Sequence, residues 1–244
     1  MDSAALKLHN TSTDVLVSLA RGGVGAIPFV GSLVAEVVGN IIPRQRVDRI
    51  VAFIGLLDQR LEHLEQEVLK TRFANPVVVD LLEDGFIQAV RATTTERLEH
   101  IANIVATGIS AEELNQAESK RMLWLLGQLA DAEIVILRSK LAMTREDMIQ
   151  DEEFRAKHEV LLAPDATHMG STEEEFEEAA LKASYRQHLF DLGLVRRQYK
   201  RPSRGQLPEF DDETGMMKAS GTSVTRLGRM LLEYLNLIPA WSRG

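Results

Sequence analysis

The segment that follows Pro43 constrains the fold most, because its apolar residues recur every three or four positions. This spacing matches one face of an α-helix with about 3.6 residues per turn. Charged residues fill the positions between, which predicts an amphipathic helix of about six turns with one face in a core. The pattern lasts for only about three heptads, so packing within one chain is favoured over a two-stranded coiled coil. The apolar positions are Val47, Ile50, Val51, Ile54, Leu57, Leu61, Leu64 and Val68.

Signals for the ends of helices recur along the rest of the chain. Asn75 followed by Pro76 is typical of an N-cap and the first residue of a helix. A second apolar series between residues 114 and 141 predicts one long helix or two, with a break near Gly127. A hydroxyl side chain followed three positions later by an acid predicts further helix starts. These pairs are Thr93 with Glu96, Ser110 with Glu113, Thr144 with Asp147, and Ser171 with Glu174.

The C-terminal part of the sequence predicts a helix, a β-hairpin and a second helix. Gly193 is placed to end the first helix, and Thr225 is placed to cap the last one. Between them, residues 194–201 and 216–224 have strand-like composition and are joined by a polar loop that contains proline and glycine. Helix, hairpin and helix in this order form the back half of a winged-helix domain.

We therefore predict a mainly α protein in two parts. The first is an N-terminal helical bundle over residues 1–109, which holds a glycine-rich apolar segment. The second, over residues 110–244, is a helical and winged-helix-like domain with one small β-hairpin. The helix-forming composition, rich in Leu, Ala and Glu, agrees with this fold class.

Segment 22–42 is apolar and glycine-rich, and Glu36 is its only charged residue. It lacks the lysine and the glycine spacing of a phosphate-binding loop. Its 21 residues are enough to cross ~30 Å of hydrocarbon as a helix, but an internal acid and Pro28 oppose a permanent span. Gly31, Ala35 and Gly39 share one helical face, which favours close helix packing in the resting protein and leaves insertion on a trigger as the alternative. This membrane or helix-packing role is assigned to Gly25, Pro28, Gly31, Leu33, Ala35, Glu36, Val37 and Gly39.

The composition limits the classes of function. The chain has no cysteine, which excludes disulfides, cysteine-based metal sites and a cysteine nucleophile. Its net charge of −8 means that contact with nucleic acid or an anionic membrane requires a local patch. The six histidines lack metal-ligand spacing, and no nucleophile or cofactor motif occurs. We expect no enzyme, with no catalytic residue, cofactor or metal. The lack of a secretory signal and of cysteine predicts a cytoplasmic protein. Membrane association on activation is the alternative that segment 22–42 leaves open.

A local positive patch lies in the predicted hairpin, where five of nine consecutive residues are basic. Such a patch is able to contact the phosphates of nucleic acid or lipid. A structural explanation is favoured, because basic residues protect strand edges and acids follow closely at residues 209–213. The predicted recognition helix also begins with five glutamates in residues 173–178, which would repel DNA phosphates. The candidate phosphate-contacting residues, named here the basic wing, are Arg196, Arg197, Tyr199, Lys200, Arg201 and Arg204.

Three pieces of the sequence together resemble the bacterial abortive-infection alpha family. They are GAIPFVGSLVAEVVGNIIPRQRVDRI at residues 25–50, LLGQLADAEIVILR at residues 125–138, and SYRQHLFDLGLV with VTRLGRMLLEYL at residues 184–195 and 224–235. The resemblance implies a cytoplasmic bacterial protein connected with phage defence, which acts by halting or killing the infected host. It carries no catalytic motif that can be transferred residue by residue, so it assigns no catalytic role.

The expected function is therefore that of a non-enzymatic phage-defence protein. It would be an interaction module with a protein partner or a second copy of itself, and its N-terminal segment would act on a membrane after a trigger. The alternative is a winged-helix regulator that binds nucleic acid through the basic wing. A structural subunit for an enzyme encoded elsewhere is a third interpretation. No small-molecule substrate is expected.

Overall fold

The computed structural model of the chain describes residues 44–111, 113–141, 148–164, 168, 170–200, 202, 207–210 and 215–238. Two of the basic-wing residues, Arg201 and Arg204, lie outside these ranges. The glycine-rich segment 22–42 does so as well, and with it all residues assigned to the membrane or helix-packing role: Gly25, Pro28, Gly31, Leu33, Ala35, Glu36, Val37 and Gly39.

The described residues form a mainly helical protein with one small antiparallel hairpin, which confirms the predicted fold class. None of the described helices is long and apolar enough to cross a membrane. The elements are α1 (Arg44–Leu61), α2 (Gln66–Phe73), α3 (Pro76–Arg91), α4 (Thr95–Ser110), α5 (Glu113–Gln128), α6 (Asp131–Ser139), α7 (Met148–Lys157), α8 (Glu159–Leu162), α9 (Glu173–Asp191), β1 (Val195–Gln198), β2 (Gly221–Val224) and α10 (Arg226–Tyr234).

The chain divides into two compact units. The first contains α1 to α5 together with the residues from Glu233 onward, and the second is Leu129–Leu232. The sequence placed a boundary at residue 109, ahead of α5. In the structure, α5 packs against α3 and α4, so it belongs with the first unit.

The first unit has a core formed by the apolar face of α1 packed on α3 and α4. Phe53 and Phe86 meet edge to face at its centre, with ring centroids 5.4 Å apart and an interplanar angle of 78°. The predicted apolar face of α1 is confirmed, because Ile50, Ile54, Leu57 and Leu61 are fully buried.

The predicted length of this first helix was wrong. The helix ends at Leu61, and a turn over residues 62–65 separates it from α2. Val68, which continued the apolar period, is 39% exposed, while its neighbour Leu69 is fully buried. The turn therefore changes which face of the following helix enters the core.

The second unit ends in the predicted helix, hairpin and helix. Thr172 caps α9 and exchanges hydrogen bonds with Glu175, a reciprocal capping box. Gly193, with φ of 70°, follows α9 in the left-handed conformation that favours glycine, as predicted. β1 and β2 then pair in register, from Val195 opposite Val224 to Gln198 opposite Gly221.

Candidate functional site

The base of the hairpin is fixed by Thr225, which lies between β2 and α10. Its hydroxyl donates to the Gly193 carbonyl at 2.7 Å and accepts from the Gly228 N–H at 3.1 Å. Its own N–H donates to the Leu194 carbonyl at 2.9 Å. One predicted N-cap residue therefore joins the end of α9, the start of β1 and the start of α10.

Two of the four arginines of the basic wing, Arg196 and Arg197, lie on β1 and are exposed. Successive side chains of a strand point to opposite faces, so Arg196 and Arg197 do not form one surface. Arg196 Nε donates to Ser223 Oγ at 3.3 Å, directly across the ladder. The guanidinium of Arg197 lies 5.4 Å from the ring centroid of Phe190 in α9, a cation–π contact. The structure therefore places these two charges on separate faces.

Tyr199 and Lys200 follow β1 directly, and both are exposed. The structure thus describes four of the six basic-wing residues, and the two that lie within β1 point to opposite faces of the strand. The separation of Arg196 from Arg197 could have been predicted from the sequence, because adjacent residues of a strand point to opposite faces.

A second feature of the hairpin was not predicted from the sequence. Beyond the paired strands, Phe210 and Met217 form an antiparallel bridge, and the N–H of Lys218 donates to the carbonyl of Glu209 at 2.8 Å. Large apolar side chains are exposed here, named the apolar tip: Leu207 at 88%, Phe210 at 56%, Met216 at 56% and Met217 at 37%. The available signal was Leu207 and Phe210 in a loop that is otherwise polar, followed by Met216 and Met217 at the start of the second predicted strand.

The N-terminal end of α9 is strongly acidic. Its first six residues include five glutamates, and all of them are exposed: Glu173, Glu174, Glu175, Glu177 and Glu178. A winged-helix protein inserts the beginning of such a helix into the major groove of DNA. Five carboxylates at that position repel phosphates, so the electrostatics of α9 oppose this mode of binding.

An open groove of about 520 Å³ lies between α7, α8 and α9 in the second unit. Lys182 is buried in its wall, where its ammonium donates to the Val160 carbonyl at 2.8 Å and lies 2.8 Å from Glu178 Oε1. Val160 and Leu181 line the groove and are 77% and 53% exposed. Because the lysine charge is paired, the groove presents mainly an apolar surface.

A buried carboxylate, Glu133, joins α6 to α9. Glu133 Oε2 accepts the N–H of Ala130, and its Oε1 lies 2.7 Å from His188 Nδ1. The side chain of Glu133 is only 4% exposed. These contacts hold the start of α6 on α9. A structural role therefore explains the burial of Glu133 and its contact with His188. Within the described ranges, no three acidic or histidine side chains are grouped so that they could hold a metal ion.

Comparisons of the chain with protein-family models, with curated proteins and with solved structures found no match. The resemblance to the abortive-infection alpha family therefore stays a prediction from the sequence. The hairpin combines a fixed base, positive charges on separate faces and the exposed apolar tip. Within the described structure, its surface most needs a functional explanation.

Proposed function

We propose that the protein is a non-enzymatic phage-defence protein of the abortive-infection type, and that its hairpin mediates association with a second copy of the chain. The observation that supports self-association is the exposed apolar tip. The role in defence rests on the sequence resemblance alone.

The apolar tip favours a protein contact because clustered, exposed apolar side chains usually mark interfaces. Aromatic and methionine side chains are also enriched at the centres of interfaces. Fully burying one such side chain is worth roughly 1.5–3 kcal/mol. Phe210 and Met216 are each 56% exposed in the free hairpin, so burial in a complex would recover about half of that for each residue.

A second copy is favoured by the charge order along the hairpin. The sequence is basic from Arg196 to Arg201 and acidic from Glu209 to Glu213. In a two-fold symmetric dimer the same surface patch contacts itself. If the two hairpins run antiparallel across the axis, each basic stretch faces the acidic stretch of the other copy. The apolar tip of each copy, whose residues adjoin the acidic stretch, then packs beside the basic stretch of the other copy, where the opposite charges attract.

Sedimentation velocity over a wide concentration range tests self-association. We expect the full-length chain to form dimers, and the double variant Phe210→Ser, Met217→Ser to stay monomeric with unchanged far-UV circular dichroism. Phe176→Ser on α9 is the matched control, because Phe176 is 50% exposed but lies outside the hairpin. A monomeric wild-type chain, or a dimer that the double variant does not weaken, refutes the proposal.

The role in defence is tested by phage plaque counts on bacteria that express the chain. We expect fewer plaques with the wild type and with Phe176→Ser, and recovery of plaques with Phe210→Ser, Met217→Ser. Equal plaque numbers with and without the chain, across a panel of phages, refute the defence role. That result would leave the sedimentation result unaffected, so the two parts of the proposal fail separately.

The membrane part of the proposal concerns segment 22–42. An apolar run of bilayer-spanning length motivates it. We expect the full-length chain to release dye from anionic liposomes under activating conditions such as mildly acidic pH, and Val37→Asp to abolish the release. Leu33→Glu tests the same run at a second position. If both variants stay folded and retain full biological activity, membrane action is excluded.

The second candidate is a nucleic-acid-binding regulator. It is supported by the exposure of Arg196, Arg197 and Lys200 at the hairpin, and opposed by the acidic start of α9. It predicts that duplex DNA binds with an affinity that falls steeply with salt, with a log–log slope of about −0.9 per phosphate contact. Reversal of the three charges should abolish binding. Binding that survives the reversal excludes this role for the basic wing.

A further inference from the structure

The groove between α7, α8 and α9 exposes large apolar side chains to solvent. Val160 of α8 is 77% exposed and Leu181 of α9 is 53% exposed, although both residues lie within helices. Leu161 and Ala156 add to the apolar lining, and Ala132 of α6 completes it. The volume of about 520 Å³ is large enough for several side chains of a partner. A concave apolar surface of this kind is typical of an interface.

The groove is held open by Lys182 of α9, which is 8% exposed. Its ammonium donates to the Val160 carbonyl at 2.8 Å and lies 2.8 Å from Glu178 Oε1. Because Val160 is on α8 and the other two residues are on α9, these contacts fix the two helices together. A groove that exists before binding lowers the cost of ordering the interface.

Acidic side chains continue the groove toward the start of α9. Four residues of this helix line the groove at the spacing i, i+3, i+4 and i+7 of one helical face: Glu178, Leu181, Lys182 and Tyr185. Glu174 precedes Glu178 by four positions and is exposed, so it extends the same face by one turn. The stripe of α9 that borders the groove therefore begins with acids and continues with an apolar residue.

The α7 and α8 walls have the same charge. Ala156 and Lys157 of α7 line the groove, and Glu152 and Glu153 lie four positions before them on the same helical face. Both glutamates are exposed, and Glu159 of α8 lines the groove itself. With the two acids of the α9 stripe, five carboxylates lie along the groove, against the two lysines of its lining.

We propose that this groove binds an amphipathic helix of a partner protein, in which basic residues flank an apolar stripe. Apolar side chains at positions i, i+3, i+4 and i+7 of that helix would pack on the apolar lining. Its lysines and arginines would meet the carboxylates along α7, α8 and α9, and this complementarity selects a basic partner over an acidic one. The groove residues are separate from the apolar tip, so failure of this proposal leaves the self-association proposal intact.

Fluorescence anisotropy of a labelled peptide tests the proposal with the full-length chain. The probe is a synthetic helical peptide with leucines at positions i, i+3, i+4 and i+7 and lysines at the flanking positions. One control peptide has glutamate in place of lysine. A second has the composition of the probe in an order that destroys the apolar stripe. We expect only the probe to bind, with an affinity that weakens as salt is added.

Substitutions of the lining test the apolar contact. Leu181→Asp and Val160→Asp should each weaken binding of the probe by about tenfold or more, with unchanged far-UV circular dichroism because both side chains are exposed. The added negative charge alone would favour a basic peptide, so a loss of binding reports the apolar contact. Ile87→Asp is the matched control and should bind like the wild type, since Ile87 is 49% exposed but lies in α3 of the first unit.

Charge reversals test the acidic border. Glu153→Lys combined with Glu174→Lys should weaken binding of the probe, most strongly at low salt. Glu62→Lys combined with Glu83→Lys changes the net charge equally at exposed positions of the first unit, and it should leave binding unchanged. The pair of variants therefore separates a local acidic border from the overall charge of −8.

Four outcomes overturn the assignment. The first is no binding of the probe to the wild type, and the second is equal binding by the wild type and Leu181→Asp. The third is self-association that Leu181→Asp abolishes in sedimentation velocity, which would assign the groove to a second copy. The fourth is binding of a small apolar dye that depends on Leu181, with no binding of the probe, which would assign the groove to a small ligand.

Discussion

Replacement of Gly228 by alanine tests the closest approach in the second unit. Gly228 is a buried residue in the first turn of α10, packed on the residue that precedes β1. A Cβ atom at this position would lie 2.3 Å from the Leu194 carbonyl oxygen, 3.1 Å from the Leu194 carbonyl carbon and 2.8 Å from Val224 Cγ1. The first two atoms belong to the backbone and cannot rotate away as a side chain can.

The cost follows from the movement that alanine would force. Close carbon–oxygen contacts in proteins lie at roughly 3.3–3.6 Å, so the start of α10 must move about 1 Å away from β1. Overpacking of this kind costs roughly 1–3 kcal/mol. The Leu194 carbonyl also accepts the N–H of Thr225, and weakening that bond adds about 1 kcal/mol. The higher helix propensity of alanine offsets at most about 1 kcal/mol of this destabilisation. We expect a net loss of about 2 kcal/mol.

Hydrogen exchange of the α10 and β1 amides measures this loss locally, and urea unfolding followed by circular dichroism measures it globally. The matched control is Gly55→Ala in α1, where a Cβ atom would meet nothing within 4 Å. That variant should gain roughly 0.5–1 kcal/mol, because alanine is the better helix former. If Gly228→Ala also gains stability, the close contact with Leu194 does not restrict the position and the reasoning is refuted.

Three further predictions concern charges and polar contacts. Because burial and the charges of Arg186 and Arg155 lower the pKa of Lys140, the unfolded chain binds the proton more tightly than the folded one. Stability should therefore rise with pH between the lowered value and the ordinary lysine pKa, and Lys140→Gln should remove that rise in urea titrations. Conversely, hydrogen bonding to Asp80 raises the pKa of Lys120, so its contribution should be present at neutral pH and disappear as pH rises through the raised value. Lys120→Met should cost less than about 1 kcal/mol at neutral pH, since the pair is partly exposed. Asn103 accepts from Arg60 Nε at 2.5 Å and donates to the Leu235 carbonyl at 3.2 Å, so Asn103→Ala should lower unfolding free energy by roughly 1–3 kcal/mol. An unchanged denaturation midpoint for Asn103→Ala would contradict that estimate.

Local chemistry explains which helix ends the sequence could predict. Asn75 accepts the N–H of Val77, and Thr225 accepts the N–H of Gly228, as the sequence indicated. Each is a polar residue whose neighbours offer no competing cap. Gly193 was equally predictable, since only glycine adopts its left-handed backbone without cost.

Two helix starts were predicted one residue too early. The caps of α4 and α9 are Thr94 and Thr172, one residue later than predicted, and each follows another hydroxyl residue. Thr172 satisfies the same pattern with Glu175, whereas Thr94 caps α4 although Arg97 lies three positions on, so an acid at that position does not decide which hydroxyl caps the helix. Ser110 is the last residue of α4 rather than a cap. Its spacing to Glu113 was a weak signal, because an acid three positions after a hydroxyl is common by chance in an acidic chain.

Two groups of positive residues differ in how far the sequence could reveal them. The positive strand residues are consecutive, so their presence was predicted, although alternation divides Arg196 from Arg197. Arg155 and Arg186 lower the pKa of Lys140 only because α6, α7 and α9 pack together. A single sequence contains no local pattern that predicts which residues of different helices come together.

The first unit is discontinuous in the chain, and this has a consequence for synthesis. Its chain leaves at Gln128 and returns at Glu233, and Leu235, which is 1% exposed, is part of its buried surface. A ribosome adds about 5–20 residues per second, so roughly a hundred intervening residues take about 5–20 s to appear. During that interval the Asn103 side chain lacks the Leu235 carbonyl as a hydrogen-bond acceptor. The nascent first unit is therefore complete only after residues 129–232 have been synthesised, and expression of residues 1–128 alone would yield a fragment without its closing segment.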